Sequence, residues 1–174
     1  SNIATYKNNY GLPVWVTEHK CGNYPWETAT YVTSKAPNDL AYGVDSWGQI
    51  RDAIKAGATA YNAWNMVLDP IGKGIDTSRD WAQNALLLVD AGSIVKTPAY
   101  YVFRHVSQYV QADAKVVSVS GSSANNTLAF KNPDNSVVTV VYNTGGAKTA
   151  IVSISGRLLQ FSMPAAGWAT VVAP

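Results

Sequence analysis

The stretch LPVWVTEHKCGNYPW, residues 12–26, sets Glu18 directly after a short apolar run and before a loop rich in aromatic residues. Glu18 and Glu27 are the only glutamates in the chain. A carboxylate inside a core strand must be paired, whereas one at a strand's C-terminal end can face a cleft and do chemistry there. The alternative for Glu18 is a surface side chain paired with His19 or Lys20. Glu27 lies in a long loop without a strand end to fix it, and a structural or rim role suits it better. His19 and His105 are far apart in sequence and lack the spacing of a zinc motif, and His105 falls mid-helix after Arg104, so neither a metal nor another cofactor is expected. Cys21 stands alone, which excludes an internal disulfide, and it has no Cys-His-Asn arrangement around it. The serine-rich SGSSANN lacks the Gly-x-Ser-x-Gly elbow of a hydrolase, and no phosphate-cradling glycine motif occurs.

Several elements must hold such a carboxylate. Val14, Trp15 and Val16 read as a short buried strand, with Pro13 suited to its first position. After a loop, SWGQIRDAIKAG (46–57) carries Ser46 and Gln49 in capping-box spacing, an apolar face of Trp47, Ile50 and Ile54, and a stop at Gly57. ATAYNAWNMVLD follows, with Ala60, Tyr61 and Trp64 in a second strand ending near Asn65. Strand, helix, strand reads as a right-handed parallel crossover. ALLLVD (85–90) is ambiguous between strand and helix, while Thr97 and Pro98 mark the N-cap and first turn of a helix through AYYVFRHVSQYV.

From AKVVSVSG onward the texture changes. TLAFKN, SVVTVVYN, TAIVSIS, LLQFSM and WATVVAP are short strand-like runs separated by turn compositions, the signature of an antiparallel β-sandwich. The chain thus divides into an α/β part, residues 1–113, and a β-sandwich, residues 114–174. Two βα units cannot cover a parallel sheet or close a barrel, and residues 1–10 carry no recognisable helix or strand that could shield the first strand. Residues 1 to about 110 are therefore expected to expose apolar surface unless another polypeptide covers them. At 174 residues, 47% hydrophobic and 14% charged, the composition is that of a globular chain; a net charge of +2 argues against nucleic acid, and no stretch is long and apolar enough for a membrane span.

WVTE at 15–18, AYNAWNMVLD at 60–69, RDWAQNALLLVD at 79–90 and TPAYYVFRHVSQYV at 97–110, followed by a β-domain, resemble glycoside hydrolase family 30. The resemblance implies the C-terminal part of a (β/α)8 TIM barrel, strands seven and eight, followed by an antiparallel β-sandwich side domain. It implies a retaining β-glycosidase, in which one carboxylate attacks the anomeric carbon and a second, roughly 5–5.5 Å away, protonates the leaving oxygen. Glu18 matches the nucleophile. The family's acid/base glutamate follows an asparagine, and no Asn-Glu pair occurs in this chain, which implies an N-terminal part of the barrel on another chain or lost, and an isolated chain without activity. Trp64 matches a tryptophan that stacks under the sugar before the cleaved bond, with core packing as its alternative. Asn65 and Asn84 match polar positions around that subsite, with turn stabilisation as theirs. Trp81 is a rim residue or a packing anchor, and Tyr24, Trp26 and Tyr42 fall in loops expected at the catalytic face. The expected partners are a β-linked glycan or glycoside and the missing barrel part, and the expected location is extracellular. Two other readings stay open: a non-catalytic carbohydrate-binding β-domain with remnant barrel elements, and a purely structural β-domain.

Overall fold

A computed structural model describes residues 2–18, 36–73 and 82–174. The elements run α1 (Asn2–Tyr10), β1 (Trp15–Val16), α2 (Leu40–Lys55), β2 (Ala60–Tyr61), β3 (Val67–Leu68), β4 (Leu87–Asp90), β5 (Ser93–Lys96), α3 (Pro98–Ser107), β6 (Lys115–Val117), β7 (Thr127–Lys131), β8 (Val137–Tyr142), β9 (Lys148–Ile154), β10 (Arg157–Met163) and β11 (Trp168–Ala173). They form two compact units, Ser1–Phe103 and Arg104–Pro174.

In the first unit, β1 and β2 pair in parallel, Trp15 beside Ala60 and Val16 beside Tyr61, with α2 as the connection. The helix starts earlier than the spacing around Ser46 predicts. Asp39 is the true cap, its carboxylate accepting from the Tyr42 backbone N–H at 3.0 Å. Ser46 is a buried mid-helix residue whose hydroxyl donates back to the Tyr42 carbonyl at 2.8 Å, and Gln49 donates to Asp45 instead of closing a capping box. Gly57, with φ +102, ends the helix as expected. The buried stripe of α2, including Tyr42, Trp47, Ile50 and Ala53, faces the core, and Tyr42 packs with Leu86 and Ala99. Tyr42 is therefore a core residue and not part of a loop.

Residues 2–10 are helical, contrary to expectation, but α1 has no buried residue. The lack of an apolar stripe is what hid it from a periodicity search. β1 is more open than its composition suggests, because Trp15 is 65% exposed. Leu12, Met66, Ile71, Val89, Ile94 and Val95 are exposed as well.

ALLLVD resolves as strand β4, parallel to β3 and antiparallel to β5. Asp90 pairs with Ser93 across a two-residue turn, Ala91 and Gly92, both with positive φ. This hairpin escaped the sequence reading because alanine is a poor residue for that turn. Thr97 caps α3 as expected, its hydroxyl accepting from the Tyr100 N–H at 3.3 Å.

The second unit contains the sheet β11–β8–β7–β6, antiparallel throughout, and the hairpin β9–β10. β7 and β8 are almost wholly buried on both faces. Two strands cannot cover four. Beside β9 a cleft of about 790 Å³ opens onto Thr127, Ala129, Thr139 and Val141 of the larger sheet. Tyr142 and Trp168 face each other in register and stack at 4.4 Å. His105 is tied to β11 twice: Nδ1 lies 2.8 Å from the Thr170 hydroxyl, which also donates to the His105 carbonyl at 3.2 Å.

Candidate active site

Parallel pairing fixes which residues leave the sheet at the same edge. Val16 pairs with Tyr61, and the Asn62 N–H continues the ladder by donating to the Val16 carbonyl at 2.9 Å. Glu18 follows β1 by two residues and Trp64 follows β2 by three, so both emerge past the C-terminal ends of adjacent parallel strands. Neighbouring strands lie about 4.8 Å apart. Glu18 is exposed and Trp64 half-buried. A carboxylate and an indole that leave the sheet at one edge are group types suited to a pyranose, since its apolar face can stack on an indole and a carboxylate can attack its anomeric carbon.

Trp64 is held at its polar edge. Its indole N–H donates to Gln83 Oε1 at 2.9 Å, and the Asn65 amide donates to the same oxygen at 3.0 Å. The peptide bond between Trp64 and Asn65 is cis. Asn65 is further bound through its backbone, its N–H donating to the Asn84 carbonyl at 3.2 Å and its carbonyl accepting from Leu86 at 3.1 Å. Gln83 is 5% exposed and is fixed in turn: its N–H donates to the Gly72 carbonyl at 2.9 Å. Gly72 sits in a turn organised by Asp69, whose Oδ1 accepts from the backbone N–H groups of Ile71, Gly72 and Lys73 at 3.0, 2.6 and 3.1 Å. A Cβ on Gly72 would lie 2.2 Å from the Gln83 carbonyl oxygen, and φ there is +88, so only glycine permits this approach.

Asn84 lies beneath this edge rather than on it. It is fully buried, and its amide donates to the Pro37 carbonyl at 2.9 Å. Asn38 Oδ1 accepts from the Ala85 N–H at 3.0 Å, so the two asparagines together clamp residues 37–38 to the strand that follows Gln83. Tyr24, Trp26 and Trp81, with His19, Cys21 and Glu27, lie outside the described residues. Sequence reasoning missed Gln83, Asp69 and Asn38. The turn composition DPIGKG could have disclosed Asp69, and a Gln-Asn pair abutting an apolar run could have disclosed Gln83, since amides beside a core need partners.

Burial raises the pKa of Tyr61, with a smaller contribution from the Asp45 charge, so this hydroxyl on β2 stays protonated. Among the described residues no helix is long and apolar enough to cross a membrane.

Residues 113–171 match the family model of the glycosyl hydrolase family 30 beta sandwich domain. Among solved structures, SrfJ from Salmonella typhimurium is similar over 98% of this chain with a TM-score of 0.79 and 20% identity, and the match spans 37% of SrfJ. The endo-beta1,6-glucanase BT3312 is similar over 97% with a TM-score of 0.74 and 18% identity, again across 37% of its length. The catalytic domain of GH30 xylanase C from Talaromyces cellulolyticus is similar over 94% with a TM-score of 0.64 and 21% identity, across 41% of that domain. The chain spans about two fifths of the length of these structures. Residues 113–171 thus carry the glycosyl hydrolase family 30 beta sandwich domain, and the chain shares the fold of these structures over the part it spans.

Proposed function

We propose that this chain supplies the nucleophile side of a retaining β-glycosidase, with Glu18 as nucleophile and Trp64 as the stacking platform. The observation that carries this reading is the emergence of Glu18 and Trp64 past the C-terminal ends of two adjacent parallel strands. A Glu18 oxygen attacks the anomeric carbon as the glycosidic C–O bond breaks, and the leaving oxygen takes a proton from an acid on another polypeptide segment. Water, deprotonated by the same group, then releases the sugar from Glu18. Asn65 lies within reach of a sugar hydroxyl, Asn84 supports the edge from below, and Trp81, Tyr24 and Trp26 are candidates for the rim.

β1 and β2 are read as two strands of a larger parallel barrel. Parallel sheets are covered on both faces, and the exposure of Trp15 argues for further strands there. The barrel's remaining strands, and the acid/base, come from an N-terminal part. The solved relatives, each more than twice as long as the matched region, support this. A β-linked glycan is the substrate class, in keeping with an endo-β-1,6-glucanase and a xylanase among the similar structures. The second reading, a non-catalytic glycan-binding β-domain, draws on the confinement of the family-model match to residues 113–171.

One experiment separates them. A 2-deoxy-2-fluoroglycoside bearing a good leaving group, incubated with the chain joined to its N-terminal part, should label Glu18 covalently. A label on another carboxylate, or glycan binding without any label, would refute the assignment.

A further inference from the structure

Within the proposed sugar subsite, on which this inference rests, we infer that Gln83 is the positioning residue that sets the plane of the Trp64 ring. Two donors converge on one oxygen: the Trp64 indole N–H at 2.9 Å and the Asn65 amide at 3.0 Å both end on Gln83 Oε1. An indole free to rotate about its side-chain bonds presents its flat face to a sugar only part of the time. Anchoring the ring nitrogen restricts that rotation, and the shared acceptor sets the Asn65 amide in a fixed relation to the ring. The anchor itself cannot drift. Gln83 is 5% exposed, its backbone N–H is bound to the Gly72 carbonyl, and Gly72 is locked in a turn by three N–H groups donated to Asp69 Oδ1. Gln83 does not touch the reacting carbon in this reading. Its effect passes through Trp64 and Asn65, and its loss would loosen sugar binding before it altered chemistry.

The test follows the Trp64 indole N–H in ¹H–¹⁵N spectra of the chain joined to its N-terminal part, assigned with Trp64→Phe, before and during titration with gentiobiose, a β-1,6-linked diglucoside. Gln83→Met removes the acceptor and nearly keeps the volume. It should shift the indole signal, speed its exchange with solvent, and weaken gentiobiose binding about tenfold. Gln83→Glu keeps an acceptor oxygen at the same reach and should keep the indole N–H slow to exchange with solvent and the affinity nearer wild type than Gln83→Met does, which a merely space-filling role would not require. An unmoved indole signal in a well-dispersed Gln83→Met spectrum overturns the inference, and so does unchanged affinity in a variant whose Trp64→Ala counterpart has lost it. A wild-type indole signal that gentiobiose never perturbs overturns the subsite reading instead, while the shift produced by Gln83→Met would still uphold the anchoring of the ring.

Discussion

Removing the charge from Glu18 tests the chemistry with the least disturbance to the fold, because the side chain is exposed. On the proposed reading, Glu18→Gln in the chain joined to its N-terminal part should lower turnover on the order of 10⁴-fold while leaving glycan binding largely intact, as measured by steady-state kinetics alongside calorimetry. Trp64→Ala should act on binding as well, weakening glycan affinity by about tenfold through loss of the stacking face. Some of this was legible in the sequence. Glu18 follows the run Val14–Val16 closely, so the end of β1 could be assigned from composition, whereas β2 stops at Tyr61, short of Trp64, which its aromatic character had placed inside the strand. The neighbouring amides could not be sorted that way. Asn65, Gln83 and Asn84 are alike in polarity, and only the pairing of strands decides which one reaches the edge, which one anchors the ring and which one is buried against Pro37.

Elements carry the next set of consequences. Asp39→Ala removes the cap of α2 and should destabilise the fold by about 1 kcal/mol, read as a lower denaturation midpoint; Ser46 variants should respond as packing changes instead. Gly72→Ala should be worse than an ordinary loop substitution, because the added methyl meets backbone and the φ of +88 is strained for alanine. Both should be compared by thermal unfolding. His105 gives a pH signature. Burial, and secondarily the Arg104 charge, lowers its pKa below the ordinary 6.5. The unfolded chain therefore takes up this proton first as pH falls. Its contribution to stability is fully present above about 6.5 and declines below that until the folded-state value is passed. His105→Gln should flatten this part of the profile relative to wild type, and an identical slope in both proteins would show that other groups cause it. The same elements illustrate what a sequence conceals. Thr97 and Pro98 announced α3 because a cap and a first-turn proline are local chemistry. The start of α2 was missed because two candidate caps, Asp39 and Ser46, are both good ones, and tertiary packing of Tyr42 selects the first. β5 was missed because its turn begins with Ala91, which pays for positive φ only within an established hairpin.

For the molecule as a whole, the proposed reading has the 174-residue chain fail on its own to hydrolyse gentiobiose, since a nucleophile without an acid partner does not expel an unactivated sugar. An aryl glycoside is the weaker assay, because its leaving group needs little protonation. A hydrophobic dye should bind the isolated chain and be displaced when the N-terminal part is added, given the exposure of Trp15, Leu12 and Met66. A cooperative, dye-silent monomer would contradict the barrel reading.

The uncovered side of the sandwich has a consequence for handling the protein. Among the described residues the hairpin β9–β10 leaves one edge of β9 without a strand partner, and Ile151 at 65% and Leu158 at 73% exposed lie on that hairpin. A free edge with apolar side chains is a template for a second copy of itself, so a concentrated stock should lose solubility by strand addition rather than by unfolding. Ile151→Lys, a charge set in mid-strand, should act as a gatekeeper and extend shelf life without changing the melting temperature by more than a degree or two, by order of magnitude.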